Sequence, residues 1–536
     1  MLSSASLVLA AVSSFTQLTN ATNDLFANCP VGAGTGLSYV RSEVEPSASV
    51  NPTNSSNVIA AFQQDRWSNG GAHGLAAAVT KGGRVSVVAL PFSQCAAGTP
   101  SDLQYERASD PWVSFGPGTP TNSRGVTAYS VSISFNQSPG KNGNTVGAAV
   151  SYDGGSTWQH AQSLHSDAAT GVPVPVPDSN FQFFHDKESV TADPTRPGWA
   201  YVVWDVLIGP NMSVEADLHS VSFTDFTLFS RTTDFGQTWS AVRVINTNAN
   251  PTTQNNQTIG NIIVVDPRDG TLYNFFNQIF NTGSNAGGNP NGAHGFNVAF
   301  QKSSTAGSTW STPQIVSSLQ SVGVSDPNNV DPRTNTPPAP LRTGDILPAP
   351  AIDPETGDLY VVWQDARFSG HDEIVISTSG DGGATWTAPE RVSMGNQAFT
   401  ATVAVMDSGI RNVAGKVGVT YYQLGATALG SMPTSYLIKE FARSAVTSAD
   451  ATAIEKTVTA VPVGAGFNML DAPFALGYFT GDYEALASTS AGFVPVVVEG
   501  ACGETLDCRA LTSVTPPANR TPTGNDSTDV FTGAGF

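Results

Sequence analysis

Residues 151–159 read SYDGGSTWQ, and nearly the same string returns as TTDFGQTWS at 232–240 and TSGDGGATWT at 378–387. A fourth copy, SSTAGSTWS at 303–311, has lost the aspartate. Each reads as a hairpin turn. Asp153, Asp234 and Asp381 accept hydrogen bonds from backbone N–H groups of the turn, glycines take the positive-φ positions, and the tryptophan closes the apolar layer beneath. Trp158, Trp239, Trp310 and Trp386 use four of the nine tryptophans in this way, so the device is structural. A group needed for chemistry is not repeated at every turn.

A second repeat lies upstream of these turns: SVNPTNSSNVIAAFQQD from Ser49, TADPTRPGWAYVVWD from Thr191, VVDPRDGTLYNFFNQ from Val264 and AIDPETGDLYVVWQD from Ala351. Each holds a short strand, an Asp-Pro or Asn-Pro turn, and a second strand rich in Val, Tyr, Phe and Trp. A third strand, the Asp-Gly turn and a fourth strand follow, so one unit is a four-stranded antiparallel sheet, one blade of a β-propeller. Weaker copies at 131–150, 402–422 and 483–499 bring the count to about seven, or six if one is an insertion. The expected fold is therefore all-β, a six- or seven-bladed propeller. The last unit is one strand short, and residues 37–43 are expected to supply it, which would close the ring and remove an exposed edge.

Composition agrees with a turn-rich folded chain: 536 residues, 52 Gly, 35 Pro, 40% hydrophobic and 12% charged. A net charge of -19 excludes binding to polyanions by phosphate neutralisation, so no nucleic-acid partner is expected. The first 21 residues carry no charged side chain and hold a short apolar run from Leu7 to Val12, which reads as a secretory leader that lacks the usual basic start. No later run reaches the ~18 apolar residues of a membrane helix, so a soluble, secreted, monomeric protein without a cofactor is expected. The organisation reads as leader 1–21, propeller 22–515 and polar tail 516–536. Cys29, Cys95, Cys502 and Cys508 suit two disulfides, Cys29–Cys95 and Cys502–Cys508 among the three possible connectivities. Asn54, Asn136, Asn211, Asn256, Asn519 and Asn525 lie in glycosylation triplets.

In such a blade the start of strand one and the end of strand two share one face, while the turns joining one to two and three to four share the other. The functional face is the one without the Asp turns. There fall His185-Asp186-Lys187-Glu188, Asp345 and Asp482-Tyr483-Glu484 at the start of first strands, with Asp65-Arg66, Asp205, Asp365, Arg367 and Tyr421-Tyr422 at the end of second strands. First strands converge on the propeller axis, so these groups line one funnel suited to a polar ligand. The competing structural reading has these charges satisfy one another, or hold a cation through Asp186 and Asp482. His73, His185 and His371 near the same loops have no metal-ligand spacing and read as hydrogen-bonding loop residues; no metal site is expected.

The S-x-D-x-G-x-T-W turns resemble the Asp boxes of the sialidase superfamily, and the run from Glu45, EPSASVNPTNSSNVIAAFQQDRWSNGGAHGL, is similar to secreted microbial sialidase-like proteins. The likeness implies a propeller that hydrolyses a terminal glycosidic bond, with a non-catalytic glycan-binding propeller or a polysaccharide lyase as alternatives on the same fold. It implies Tyr483 as nucleophile, Glu188 or the adjacent Glu484 as its base, and Asp65 or His73 in place of the general acid, since RWSNGGAHG from Arg66 has no Asp. It implies a carboxylate-binding cluster of Arg41, Arg66 and Arg367, although Arg41 lacks the family's following Ile-Pro. Lys187, Asp186, Asp205, Asp365, Asp482 and Glu484 are the remaining expected substrate-binding groups.

Overall fold

A computed structural model describes residues 15–19, 24–26, 28–31, 36–118, 126–138, 141, 143–166, 181–210, 224–246, 257–282, 293–393, 395–425, 433–441, 461–501 and 527–533. Cys502, Cys508, the glycosylation asparagines Asn211, Asn256, Asn519 and Asn525, and most of the tail after residue 516 lie outside them. Cys29 and Cys95 form a disulfide with a Cα–Cα distance of 5.6 Å.

The described residues contain no α-helix, and their strands pair antiparallel except for Ala339–Arg342 with Tyr478–Phe479. The sheet in 349–391 shows why. Its second strand, Leu359–Asp365, is buried at every position. Tyr360 and Val362 pack toward Val403, Val417 and Val419 of the next sheet, whereas Leu359, Val361 and Trp363 pack toward Phe275, Val298 and Phe300 of the previous one. Alternate side chains thus serve opposite neighbours, which is why this strand reads as an unbroken apolar run instead of an alternating one.

Among the described residues, seven runs of four strands follow this plan, the first two joined edge to edge by the single pairing of Ala72 with Ala108. Their first strands are Ser38–Asn51, Arg107–Gly116, Phe181–Ala192, Gln257–Val265, Ala349–Ile352, Ala398–Met406 and Ala485–Thr489. Each touches the next in order, and Ala485–Thr489 touches Ser38–Asn51. The seven first strands therefore stand round a common axis. A small extra sheet of Val324–Asp326, Ala339–Arg342 and Tyr478–Phe479 is built from the segments that precede the fifth and seventh first strands.

Two expectations need correction. Residues 38–51 do not complete the last sheet; they run straight into the Asn51-Pro52 turn and pair with Asn54–Trp67 of their own sheet. The last sheet takes its fourth strand from Thr16–Gln17, which pairs with Thr532 and Phe531. The second unit also starts earlier than its weak copy suggested, at Arg107, because Asp110-Pro111 interrupts the strand pattern there.

The Asp turns form as their sequence requires. Asp381 accepts the Thr385 N–H (2.9 Å) and hydroxyl (2.6 Å), and Gly383 N–H bonds Ser379 Oγ (2.9 Å). Asp153 and Asp234 repeat this with Thr157 and Thr238. In the degraded copy the Thr305 hydroxyl takes the Thr309 N–H instead (2.9 Å). Gly383 must be glycine twice over: its φ is +84°, and a Cβ would sit 2.4 Å from Phe300 of the preceding sheet. The turns thus also wedge neighbouring sheets together.

Replacing Asp381 with Ala should lower the unfolding free energy by about 1–2 kcal/mol, since two donors lose a charged acceptor. Thr305→Asp should raise it by a smaller amount. Urea midpoints measure both, and an unchanged midpoint for Asp381→Ala would show that the turn aspartate is dispensable.

Candidate functional site

Five of the seven first strands break register at one level: between Val44 and Ser47, Ser109 and Trp112, Asp186 and Ser189, Ile259 and Ile262, and Phe399 and Thr402. At each break one residue takes a left-handed backbone: Glu45, Asp110, Lys187, Gly260 and Thr400, with φ from 49° to 72°. Four are not glycine, a conformation that costs of order 1 kcal/mol or more and persists only where the surroundings hold it. Gly344, ahead of the fifth first strand, also has φ +60°, and a Cβ there would meet the Asp482 carbonyl at 2.1 Å. The bulges turn three charged side chains out of the ladder and into one cluster.

Lys187 is the centre of that cluster. Its ammonium, with 6% of the side chain exposed, lies 2.8 Å from Asp110 Oδ2, 2.8 Å from Asp482 Oδ2 and 3.6 Å from Glu45 Oε1. Arg342, on the strand of the extra sheet, grips Asp482 with two bonds of 3.0 and 2.6 Å. Gln63 donates to Glu45, and Arg66 donates to Gln63 (2.7 Å). The Phe479 ring receives the guanidinium groups of both Arg66 and Arg342, at 4.8 and 4.5 Å. Burial opposes the charge on Asp482, but Arg342 and Lys187 outweigh it and hold this carboxyl well below its usual range. Glu45 goes the other way: burial and the Asp110 charge push it up to about 8.

Two cavities meet at this cluster, and Lys187, Gly344, Leu347 and Asp482 line both. The larger, about 550 Å³, lies on the strand-start side, against Gln257, Ile259 and Arg342. The smaller, about 210 Å³, lies further along the first strands, against Trp112, Glu188, Asn261, Tyr483 and Glu484. Glu188 is 2% exposed, and neither carboxyl oxygen has a hydrogen-bond partner. Burial first, then Asp110 and Asp186, raise its pKa well above the usual carboxylate range, so it favours its protonated form. Glu484 is raised mainly by burial and accepts the Tyr422 hydroxyl at 2.6 Å. Tyr483 lies edge-on to Trp112 at 5.2 Å and donates its hydroxyl proton to the Pro111 carbonyl (3.3 Å). Burial and the acids around it push its phenol pKa up.

Of the sequence-derived site residues, the fold thus brings together Lys187, Glu188, Asp482, Tyr483 and Glu484, with Arg66 behind them. The others serve elsewhere. Asp65 accepts the Arg41 backbone N–H (2.8 Å) and faces His73 Nδ1 (3.1 Å), outside both cavities. Arg367 is paired with Asp365 (2.7 Å), and the exposed Arg41 side chain lines neither cavity, so the three arginines do not converge. Asp205 accepts Thr258, Gly260 and Asn261, bracing the bulge at Gly260. Asp186 accepts the N–H of Lys187 (3.0 Å). His185 accepts from Trp204 (3.1 Å), and burial lowers its pKa to about 3. Among the described residues no group of three or more His, Cys, Asp or Glu is arranged to hold a metal.

Glu45, Asp110 and Arg342 were missed. The shared signal for the first two is an acid followed by proline, Glu45-Pro46 and Asp110-Pro111, on successive first strands. Arg342 lies between repeat units, where a periodic reading has nothing to say.

No family model and no curated protein matches the chain. Among solved structures it is similar to the α-L-arabinofuranosidase Arb93A of Fusarium graminearum, at 13% identity over 76% of this chain and 98% of that one, with a TM-score of 0.37. An α-L-arabinanase of Penicillium chrysogenum gives 11%, 76%, 98% and 0.42, and the Trypanosoma rangeli sialidase 13%, 72%, 53% and 0.37. Likenesses this distant carry no residue roles across.

The acids at the axis give stability a pH dependence of known sign. Glu45, Glu188 and Glu484 bind protons more tightly folded than unfolded, so their contribution is complete below the ordinary value of 4.5 and is lost as pH rises, for Glu45 through about 8. Asp482 contributes in the opposite sense and loses its share as pH falls below its ordinary 3.8. The maximum of these four contributions should therefore lie at about pH 4, between the ordinary values of 3.8 and 4.5, with a decline from there toward pH 8 of up to about 1.4 kcal/mol per pH unit per group. Melting temperatures across that range should fall less steeply in Glu45→Gln, and an unchanged slope would contradict the assignment.

Proposed function

We propose that the chain is a secreted, monomeric seven-bladed propeller of sialidase-like type that hydrolyses a terminal glycosidic bond in its axial cavity. The observation that carries this reading is Glu188: a carboxyl buried without a hydrogen-bond partner, holding its proton, and lining a cavity with a second carboxyl, Glu484, and a phenol, Tyr483. Glycoside cleavage needs a proton for the leaving oxygen and a group that stabilises the cationic sugar. A carboxyl kept protonated by burial is suited to the first role. Glu484 is the second carboxyl at the cavity; burial raises its pKa against the opposing bond from Tyr422, so it would serve the second role only once it has lost its proton. Tyr483 is the remaining nucleophilic group at the cavity. Its proton is committed to Pro111 in the resting state, so attack by the phenolate would first require that bond to break.

A neutral sugar fits better than an acidic one. The cations that line the cavities, Lys187 and Arg342, are already paired with Asp110 and Asp482, and a substrate carboxylate would have to displace them. The same pairing favours, as second reading, a propeller that binds a glycan without cleaving it.

A panel of fluorogenic glycosides, neutral pentosides and hexosides beside a sialoside, tests the proposal with wild type, Glu188→Gln and Tyr483→Phe. Hydrolysis of a neutral glycoside is expected, reduced on the order of 10²–10⁴-fold in Glu188→Gln. Wild type inert across the panel, or Glu188→Gln fully active, would overturn it.

A further inference from the structure

The two cavities that meet at the ion cluster differ in chemistry. The smaller, about 210 Å³, presents Glu188, Tyr483 and Glu484 and falls below the ~300 Å³ at which sites for drug-sized ligands begin, so it suits a single sugar ring. The larger, about 550 Å³, is walled mainly by apolar side chains, among them Ile259, Ile279, Phe296, Val324, Leu347 and Leu476. Val322 also lines it and is 67% exposed, so the cavity reaches the surface there.

Its polar side chains are largely engaged already. Lys187 and Asp482 belong to the ion cluster, Asp345 accepts the Ser321 hydroxyl (2.9 Å), and the Thr343 hydroxyl accepts the Gln364 side-chain N–H (3.2 Å). Arg342 differs. Its Nε and Nη2 hold Asp482, while Nη1 is buried without a hydrogen-bond partner. A buried N–H left unmade costs free energy, and an acceptor oxygen entering the cavity would recover it.

Leu476 adds a second sign. Its φ of +68° is a left-handed backbone that a bulky side chain rarely adopts, and such strain persists only where the surroundings enforce it. The enforcing contact is next in sequence: a Cβ on Gly477 would lie 2.6 Å from the Arg342 backbone nitrogen, so this turn presses onto the strand that carries Arg342. One close packing of backbone thus sets both a part of the apolar wall and the arginine with the free N–H.

A sugar unit in the larger cavity would bury several hydroxyls with few groups to meet them. We infer that this cavity binds an apolar leaving group, an aromatic or alkyl alcohol joined to the sugar held in the smaller cavity, with Arg342 Nη1 donating to an oxygen of that group. The preferred substrate is then an aryl or alkyl glycoside, not an oligosaccharide. Its role as leaving group rests on the cleavage reading above; its seat in the cavity does not.

The probes are benzyl and methyl forms of each neutral pentoside and hexoside in the panel, with disaccharides that carry glucose in place of the benzyl group. Binding to the Glu188→Gln protein is read by calorimetry, which needs no turnover. The benzyl form of the accepted sugar is expected to bind on the order of ten-fold tighter than its methyl form or the disaccharide. Leu476→Gly, which removes part of the wall and relieves the backbone, should narrow that ratio by roughly three-fold or more. Equal affinity for benzyl and methyl forms, tighter binding of the disaccharide, no binding of any probe, or a ratio unchanged in Leu476→Gly would overturn the inference. A benzyl preference in a protein whose wild type hydrolyses no glycoside would sink the cleavage reading alone, and hydrolysis without that preference would sink this inference alone.

Discussion

An ammonium group cannot be taken out of water unless negative charge is taken with it, and that constraint organises the axis of this protein. Lys187 is buried where the first strands converge, so carboxylates must reach it from other strands. A regular strand points its side chains at neighbouring sheets, not at the axis. The left-handed bulges supply the missing direction, bringing Glu45, Asp110 and Lys187 to a common level from three successive sheets. Asp482 arrives from the seventh unit and Arg342 from the extra sheet, so a charge cluster in the centre fastens together segments far apart in sequence.

The same cluster sets the protonation of the acids around it. It sorts the acids at the axis into two kinds by what faces them. Asp482 has two cations and is held ionised, whereas Glu188, one residue beyond Lys187, faces a cavity and other acids and keeps its proton. A protonated and an ionised carboxyl within one site is the usual basis for assigning acid and base roles. Here the separation arises from backbone geometry: residue 187 turns into the ion cluster, and residue 188 is left lining the cavity.

The sequence made the repeated parts legible because each depends on local chemistry. The Asp turns need an acceptor, a glycine and a threonine within a few residues, and the Asp-Pro turns need an Asx acceptor, as Asp353 shows with the N–H groups of Glu355 and Thr356. The placement of Lys187, Glu188, Asp482, Tyr483 and Glu484 followed from strand direction alone. Strand direction did not reveal which side chains a bulge would turn inward. Asp205 and Asp365 share the expected face with Lys187, yet Asp205 braces the Gly260 bulge and Asp365 holds Arg367. The closing strand escaped for another reason: Thr16–Gln17 is too short to carry a pattern, and its partner lies more than five hundred residues away.

The account depends most on Lys187 as the buried counter-ion of the axis. The unfolding free energy of Lys187→Met, measured by denaturant titration against wild type near pH 7, tests this directly. Methionine keeps most of the apolar stem but leaves Asp110 and Asp482 without the ammonium, and a loss of about 3–5 kcal/mol is expected. A Lys187→Met protein as stable as wild type would contradict the claim that this ammonium holds the axis together.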